Sequence, residues 1–273
     1  MSIQKQVLAA LKEDHAGADI TSQSFVPSSH RSRAILKAKQ NGVFCGEKII
    51  QVFQTQFKNK IKIVPKIKDG AKVKPNQILF TLEGQTRSLL AIERTLLNYL
   101  QHLSGIATLT HQYVQKVKPY GCKILDTRKT VPGLRALDKY AVACGGGTNH
   151  RFHLADQVLI KDNHLKINGA LSLKTLLKLS KKYKLEIEAA SFKQALALSQ
   201  LPIDRLMLDN FKIFELKKTI KILRKLHPYL EIEVSGGITY KNIVSYAKTK
   251  PDYLSIGAIT HSAPALDLSM KIL

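Results

Sequence analysis

The chain has 273 residues, and its 43 lysines and arginines against 20 aspartates and glutamates give a formal net charge of +23. A hydrophobic fraction of 44% supports a packed core and excludes a disordered chain, and no apolar run reaches the roughly 18–20 residues of a membrane span. The 3 cysteines are widely spaced, which argues against a disulfide framework and a zinc site, and the N-terminus lacks a signal-peptide pattern, so we expect a cytoplasmic protein without membrane partners.

The first part of the chain has a mixed pattern of helices and short strands. A helix is predicted at residues 3–11, and strands are predicted at 32–38 and 60–64, separated by Asn-Gly, Asp-Gly and Pro-Asn turn signals. A longer helical stretch follows at residues 89–103. We divide the chain near Gly105 and expect an α+β domain before it.

The second part alternates short β-rich runs with helical segments. Strands are predicted at residues 123–126, 157–161, 185–189, 205–209, 231–235 and 253–256. Helices are predicted between or after them at residues 134–143, 170–184, 191–200, 211–226 and 240–248. This alternation is typical of parallel β/α units. We predict an α/β fold with a β/α barrel, and a doubly wound sheet is the second alternative.

Reactive side chains stand at the carboxyl ends of the predicted strands. Asp126, Lys161, Asp209 and Ser235 each occupy such a position. In β/α barrels this is the edge at which active sites are assembled from separate strands. We therefore expect these residues to converge on one site, although a role for Asp126 in bracing the following loop is favoured over catalysis.

The same region is rich in cations. They are Arg128, Lys129, His150, Arg151 and Lys161. We expect these groups to lack an equal number of acidic partners, so they would repel one another in an empty site. A ligand with several negative charges is their natural complement, because arginine binds carboxylates and phosphates with a bidentate fork.

Two glycine-containing segments follow the last two predicted strands, at residues 235–238 and 255–264. Glycine leaves backbone N–H groups accessible, and barrels often bind phosphate after their last strands. A plain turn would explain either segment alone. Two in succession favour a phosphate site.

The positive charge itself has another interpretation, which is nucleic-acid binding. The lysines of residues 212–225 alternate with apolar residues at helical spacing, as on the solvated face of an amphipathic helix. Basic residues are spread over many helices, and no zinc finger or aromatic RNA platform is evident. We therefore expect no nucleic-acid partner.

Long motifs in this sequence resemble one family. They are ERTLLNYLQHLSGIATLT, LDTRKTVPGLR, GGGTNHR, IKDNH, LMLDN, SGGIT and SIGAITHSAPALDLS. In this order they resemble nicotinate-nucleotide pyrophosphorylase (carboxylating), the quinolinate phosphoribosyltransferase family. The resemblance implies an N-terminal α/β sandwich domain, residues 1–104, and an incomplete β/α barrel, residues 105–273, whose last residues pack back on the first domain.

The family's reaction belongs to de novo NAD biosynthesis. Quinolinate and 5-phosphoribosyl 1-pyrophosphate give nicotinate mononucleotide, pyrophosphate and CO2, with Mg2+ as the usual metal. The resemblance also implies a homodimer with a shared active site, and a higher oligomer is left open. A related alternative is a molybdenum-associated homologue of the same fold with a different ligand.

The family's site residues are carried over to matching positions of this sequence. The resemblance assigns the quinolinate carboxylates to Arg128, His150, Arg151 and Lys161, with Arg94 reaching from the neighbouring subunit. It places Lys129 at the ribosyl pyrophosphate and Asp209 at the ribose hydroxyls or their metal, directly or through water. The resemblance assigns the 5′-phosphate to Ser235, Gly236, Gly237, Gly257, Ala258 and His261. Lys129, Lys161 and Asp209 are the residues for which we expect a catalytic role.

In the family pattern, carboxylates stand at three alternating positions of this strand. Glu186 and Glu188 match the first two positions, but this sequence has Ala190 at the third. In the family that carboxylate contacts the ribosyl substrate. Because alternate side chains of a strand share a face, we expect position 190 to lie at the mouth of the site. An alanine there predicts an activity-impaired enzyme, and Ala190→Glu should raise kcat/KM by on the order of 10- to 100-fold.

Overall fold

The computed structural model describes residues 2–168 and 171–273. The α-helices in these residues are α1 (Ile3–Glu13), α2 (Ile20–Phe25), α3 (Glu47–Gln56), α4 (Thr86–Val117), α5 (Arg135–Cys144), α6 (Asp162–Asn168), α7 (Leu173–Ser180), α8 (Phe192–Leu198), α9 (Ile213–Leu226), α10 (Ile243–Ala247) and α11 (Ala258–His261). The strands are β1 (Arg31–Ala38), β2 (Gly42–Val43), β3 (Ile61–Pro65), β4 (Lys72–Val73), β5 (Ile78–Gln85), β6 (Lys123–Leu125), β7 (Val158–Ile160), β8 (Leu185–Ala189), β9 (Arg205–Asp209), β10 (Glu231–Ser235), β11 (Tyr253–Ser255) and β12 (Leu268–Ile272).

The chain forms two compact units, each assembled from separate stretches. The first unit contains the chain up to His111 together with Val131–Gly146 and Ser262–Leu273, and the second contains Gln112–Thr130 and Gly147–His261. Because both units are discontinuous, the structure does not test a single boundary at residues 104 and 105, which stays a prediction.

An antiparallel sheet in the order β12-β1-β5-β3 organises the first unit. Strand β1 is central, with Ala34 opposite Leu82 of β5 on one side and Ile272 of β12 on the other. The C-terminal residues thus complete the sheet of this unit. Phe44 and Phe80 pack in its core with ring centroids 5.4 Å apart.

Helix α4 is longer than the sequence indicated. It has 32 residues, whereas the prediction covered 89–103 and placed a division at Gly105. Gly105 lies inside the helix, and a Cβ atom at this position would be 2.1 Å from the carbonyl oxygen of Pro264. Its role is close packing against the C-terminal segment, so the prediction that the helix ends near this glycine is wrong.

A parallel sheet of six strands forms the centre of the second unit, in the order β6-β11-β10-β9-β8-β7. The strands follow one another in chain order around a barrel, and the barrel is open between β6 and β7, which are the two edge strands of the sheet. A doubly wound sheet would instead reverse its order at a switch point. The predicted α/β class with an incomplete β/α barrel is confirmed, and the doubly wound alternative is excluded.

The parallel strands agree closely with the sequence prediction. The bounds of β8, β9 and β10 match it, and β6, β7 and β11 are shorter by one residue at one or both ends. Every residue of β8 is buried, as expected for a strand covered on both faces. Within the described part of the chain, no helix is both long enough and apolar enough to cross a membrane.

Candidate active site

A cavity of about 670 Å³ lies at the carboxyl edge of the parallel sheet, within the second unit. The residues predicted from the sequence that line it are Arg128, Lys129, His150, Arg151, Lys161, Asp209, Ser235, Gly236, Gly237, Gly257, Ala258 and His261. They come from loops after several different strands, so the convergence expected of a β/α barrel is observed.

Arg94 is not part of this cavity. It lies on α4 in the first unit, where it lines a separate cavity of about 340 Å³ together with Glu13 and Asp14. The second unit alone therefore brings together all the predicted residues except Arg94.

The loop after β10 has a backbone that requires glycine. Gly236 has φ +93°, and a Cβ atom there would be 2.2 Å from Oδ1 of Asn210. Asn210, with φ +58°, donates its backbone N–H to the carbonyl of Ser235 at 2.9 Å. The two turns after β9 and β10 are thus interlocked, and Gly236 and Gly237 present their backbone at the cavity wall.

A second glycine turn holds Lys129. The hydroxyl of Thr260 on α11 donates to the carbonyl of Lys129 at 2.8 Å. A Cβ atom at Gly257 would be 2.9 Å from Cδ of Lys129 and 3.3 Å from the His261 ring. The absence of a side chain at Gly257 therefore lets the Lys129 stem and His261 lie side by side at the cavity.

Asp126 braces the cationic loops. It is fully buried, and its Oδ1 accepts the backbone N–H of His150 at 2.8 Å. The carboxylate connects the end of β6 to the loop that carries His150 and Arg151. This contact gives Asp126 a bracing role, toward the His150 loop.

The cations of the cavity have acidic partners, but fewer than their own number. Lys161 Nζ is 2.8 Å from Glu188 Oε2, and the Lys161 side chain is still 47% exposed. The cavity lining carries four permanent cations, Arg128, Lys129, Arg151 and Lys161, against three carboxyl groups, Glu188, Asp209 and Glu233. The cations therefore lack an equal number of acidic partners, as expected from the sequence, although strands β8, β9 and β10 each bring one carboxyl group to the same edge.

Two guanidinium groups remain close to each other. Burial lowers the pKa of Arg151, and the nearby charge of Arg128 lowers it further. Arg151 Nη1 donates to the carbonyl of Gln157 at 3.2 Å, which fixes its direction. Mutual repulsion of these two cations favours binding of an anionic ligand near them.

The cavity floor is a buried set of charged side chains. Arg205 Nη1 donates to Glu233 Oε2 at 3.0 Å and is 3.9 Å from Glu186 Oε2. His150 Nε2 lies 3.3 Å from Glu186 and 3.5 Å from Glu233. Burial raises the pKa of Glu186, and burial together with the Glu186 charge raises the pKa of Glu233 to about 7.

Position 190 does not lie where the sequence placed it. Strand β8 ends at Ala189, and Ser191 already caps α8, so the alternation of side chains stops one residue early. Ala190 is exposed, its N–H is bonded to Gln194 Oε1 at 2.8 Å, and it does not line the cavity. The strand β8 carboxylate that lines the cavity is Glu188.

Asn210, Glu233 and Arg205 were missed by the sequence analysis. Arg205 and Glu233 stand within buried strands, so a charged residue in an otherwise apolar run was the available signal. Asn210 follows Asp209 directly, and asparagine's tolerance of positive φ is the corresponding signal there.

Comparison with known proteins shows a consistent match. Residues 19–104 match the model of the quinolinate phosphoribosyl transferase N-terminal domain, and residues 106–271 match that of the C-terminal domain. A probable nicotinate-nucleotide pyrophosphorylase [carboxylating] of Methanocaldococcus jannaschii is 40% identical over 271 residues, covering 96% of this chain and 94% of the relative. The corresponding protein of Mycobacterium leprae is 37% identical over 268 residues, with the same coverage of both chains.

Solved structures show the same similarity. The nicotinate-nucleotide pyrophosphorylase of Ehrlichia chaffeensis superposes with a TM-score of 0.93 at 37% identity, covering 100% of this chain and 99% of that one. The enzyme of Francisella tularensis has a TM-score of 0.92 at 37% identity, covering 99% and 95%. These similarities extend over both units.

Proposed function

This chain belongs to the quinolinate phosphoribosyltransferase family and is a carboxylating nicotinate-nucleotide pyrophosphorylase of de novo NAD biosynthesis, and we propose that its reaction takes place in the cavity at the carboxyl edge of the parallel sheet. Quinolinate attacks phosphoribosyl pyrophosphate, and the products are nicotinate mononucleotide, pyrophosphate and CO2. The relatives and structures compared above carry the pyrophosphorylase name, which favours this activity over a molybdenum-associated one.

The observation that carries the proposal is that two arginines and a lysine line the same cavity. Quinolinate has two neighbouring carboxylates, and Arg128, Arg151 and Lys161 line one cavity at which such a dianion can be bound. Arg151 is held by Gln157 and Lys161 by Glu188, so both cations are oriented before the substrate arrives. His150 lines the same cavity and is proposed to contribute to the same carboxylate site.

Phosphoribosyl pyrophosphate is proposed to bind along the glycine turns. The backbone of Gly236, Gly237 and Gly257 suits the 5′-phosphate, with Ser235, Ala258 and His261 beside it. Lys129 is then available for the pyrophosphate, and Asp209 for the ribose hydroxyls.

Mg2+ is the proposed metal, and the residues present fit it. Asp209 offers a carboxylate in the cavity, oriented by a 2.6 Å hydrogen bond from Asn210 Nδ2. One carboxylate, water and substrate oxygens form a common ligand set for Mg2+, whose charge would stabilise the departing pyrophosphate. Asp209 would hold the ion directly or through water.

The chemistry needs no protein nucleophile. As the pyrophosphate leaves C1 of the ribose, Lys129 stabilises its growing negative charge, while the quinolinate nitrogen forms the new bond to C1. The quaternised ring nitrogen then makes loss of the 2-carboxylate feasible, because the electron pair left on C2 lies beside a positive charge. The protein's part is to align the ring and exclude other geometries.

The experiment that tests this function is turnover of quinolinate against nicotinate. With phosphoribosyl pyrophosphate and Mg2+, quinolinate should give nicotinate mononucleotide and CO2 in equal amounts. Nicotinate lacks the 2-carboxylate, and loss of one charge-assisted contact costs about 1.5–3 kcal/mol, or one to two orders of magnitude in binding. Comparable turnover of both pyridines would contradict the proposal.

We also propose a cytoplasmic homodimer in which Arg94 of one subunit completes the quinolinate site of the other. The placement of Arg94 in the first unit, outside the cavity, is consistent with this role. Arg94→Ala and Lys161→Ala should each lose most of the activity when assayed alone. Mixed dimers should recover activity, since one of the two sites then receives both intact residues. No recovery after proven subunit exchange would argue against a shared site.

A further inference from the structure

Three side chains of the first unit form a group that we call the thiol cluster: Cys45, Asp69 and Cys144. The two sulfur atoms and a carboxylate oxygen all lie within 4.8 Å of one another. Cys45 is fully buried, whereas Asp69 and Cys144 are half-buried, so solvent reaches part of the cluster. The proposed active site lies in the second unit, and its residues take no part in this group.

The backbone holds both cysteines of the cluster in place. Cys45 lies between β2 and α3, and its backbone N–H donates to Ser104 Oγ of α4 at 3.0 Å. Cys144 is the last residue of α5, and a Cβ atom at the following Gly145 would be 2.4 Å from the carbonyl oxygen of Ala107. Two cysteines that are far apart in the sequence are therefore fixed close together by the packing of α4 and α5.

Asp69 uses its two carboxylate oxygens differently. Its Oδ1 accepts the backbone N–H of Gly46 at 2.7 Å and that of Glu47 at 3.1 Å, which satisfies the amino end of α3. Its Oδ2 accepts the hydroxyl of Tyr140. Helix capping therefore accounts for only one oxygen, and a cation can replace the neutral hydroxyl at the other.

The donor atoms of the cluster suit Zn2+ in type and in spacing. Two cysteine sulfurs and a carboxylate oxygen are ligands that zinc takes in proteins. Tetrahedral zinc, with Zn–S of about 2.3 Å and Zn–O of about 2.0–2.2 Å, places neighbouring donors roughly 3.6–3.8 Å apart. Donors that already lie within 4.8 Å of one another have to approach by about 1 Å at most, which side-chain rotation can supply. The half-buried side leaves a fourth position for water.

The charges around the cluster are compatible with a bound divalent cation. Two thiolates and one carboxylate carry three negative charges, so Zn2+ leaves a single negative charge. That charge lies at the amino end of α3, which attracts anions. The Lys48 ammonium, 4.5 Å from the centroid of the Tyr140 ring, adds a positive charge on the same side.

A disulfide between Cys45 and Cys144 is the competing explanation. It would use both sulfur atoms but would leave the nearby carboxylate of Asp69 without a role. Burial and the neighbouring Cys144 and Asp69 raise the pKa of Cys45, which disfavours the thiolate that disulfide exchange requires. A metal ion overcomes the same obstacle, because coordination removes the proton of a thiol. The arrangement therefore favours a metal over a disulfide.

We propose that the thiol cluster is a zinc site, in which Cys45, Asp69 and Cys144 bind one Zn2+ and water completes the coordination. The wide spacing of the cysteines argued against such a site in the sequence, and their convergence in the fold reverses that expectation. The ion would join the β2–α3 connection, the segment before β4 and the end of α5. Its effect is therefore on the stability of the first unit, and the proposal does not depend on the proposed function.

Cobalt substitution tests the site directly, because Co2+ takes the place of Zn2+ and its absorption spectrum reports the ligands. The untagged full-length protein is kept reduced with a phosphine, freed of metal with a chelator and titrated with Co2+. The near-ultraviolet band of thiolate-to-cobalt charge transfer should saturate at one ion per chain. Among the described residues no cysteine lines the proposed active-site cavity, so Co2+ bound there gives no such band.

Removal of each ligand identifies the site. Cys144→Ser changes a half-buried side chain, and Asp69→Asn keeps an oxygen for the N–H groups of α3, so both variants should fold. Each should weaken Zn2+ binding, measured by competition with a chromogenic chelator, by at least about 100-fold, because loss of an outer-shell contact alone costs about 10- to 100-fold. Cys122→Ser is the matched control, since Cys122 is a buried cysteine of the second unit, and it should bind Zn2+ like the wild type.

Thermal unfolding gives a second measurement that needs no turnover. At free Zn2+ about 100 times the Kd, the melting temperatures of the wild type and of Cys122→Ser should rise by roughly 5–10 °C, and that of Cys144→Ser should not. Absence of the thiolate band in the wild type, or an equal band in Cys144→Ser, would overturn the proposal. A chain that binds no Co2+ but loses two hydrogen atoms on air oxidation, with Cys45 joined to Cys144, would show the disulfide instead.

Discussion

Two cavities of the same volume, about 670 Å³, lie at opposite edges of the parallel sheet. The carboxyl-edge cavity is the proposed active site. The amino-edge cavity is lined by residues such as Lys184, Asp204, Tyr229 and Glu231, which precede or begin β8, β9 and β10. Volume therefore does not distinguish the two cavities. They differ in the turns and the polar contacts that the chain forms at each edge.

At the amino edge, polar side chains bond to one another and to the backbone where the strands begin. Lys184 pairs with Glu231 at 2.6 Å, and Asp204 accepts the backbone N–H of Leu185 at 2.6 Å. At the carboxyl edge the chain instead turns through Gly236 at positive φ, and adjacent Arg128 and Arg151 repel each other. Cations that repel one another and an accessible backbone mark a binding site, whereas ion pairs at the beginnings of strands mark structure.

The sharpest way to test this comparison is to delete one lysine at each edge. Lys161 and Lys184 each bond a glutamate, at 2.8 and 2.6 Å. Lys161→Ala should lower turnover by about 10²–10³-fold, because a preorganised cation is lost from the reacting site. Lys184→Ala should stay within about twofold, since an exposed ion pair contributes about 1 kcal/mol or less to stability. Equal losses in steady-state assays would erase the distinction between the edges.

A smaller effect is expected from the glycine turn. Gly236→Ala places a Cβ atom 2.2 Å from Asn210 Oδ1 at a residue with φ +93°. We expect a destabilisation of roughly 1–3 kcal/mol and a KM for phosphoribosyl pyrophosphate raised by about one order of magnitude. Gly121→Ala is the control, since Gly121 has φ +75° but open space around it. It should lower the melting temperature slightly and leave KM unchanged.

The smallest effect concerns position 190. Because Ala190 lies after the end of β8 and outside the cavity, Ala190→Glu should change kcat/KM for phosphoribosyl pyrophosphate by no more than about twofold. Glu188→Gln is the informative companion, since Glu188 lines the cavity and holds Lys161. A gain of tenfold or more on adding Glu at 190 would restore the original sequence-based expectation.

The same contrast explains what could be predicted from the sequence. The bounds of strands β8 to β10 were predicted correctly, because their buried apolar runs are bounded by turns. The residues at the carboxyl ends of the predicted strands indicated the position of the site. Strands β5 and β12 were not found. Strand β12 pairs with β1, which is far away in the sequence. The local sequence pattern does not predict such a pairing.

The sequence predicted which residues line the site, but it did not predict which residues they are bonded to. Lys161 was correctly placed at the cavity, yet its bond to Glu188 depends on two strands being neighbours. His150 was grouped with the other donors that follow the predicted strands, and the sequence did not show that its ring accepts the Arg151 backbone N–H and faces buried glutamates. Protonation depends on surroundings in three dimensions, which the linear pattern does not contain.

A crystal structure of the quinolinate complex tests the central claim most directly. The pyridine should lie in the carboxyl-edge cavity, with its two carboxylates within hydrogen-bonding distance of Arg151 and Lys161, and with Arg128 beside them. The His150 ring should keep its bond to the Arg151 backbone. Quinolinate in the amino-edge cavity, or held without Arg151 and Lys161, would contradict this account.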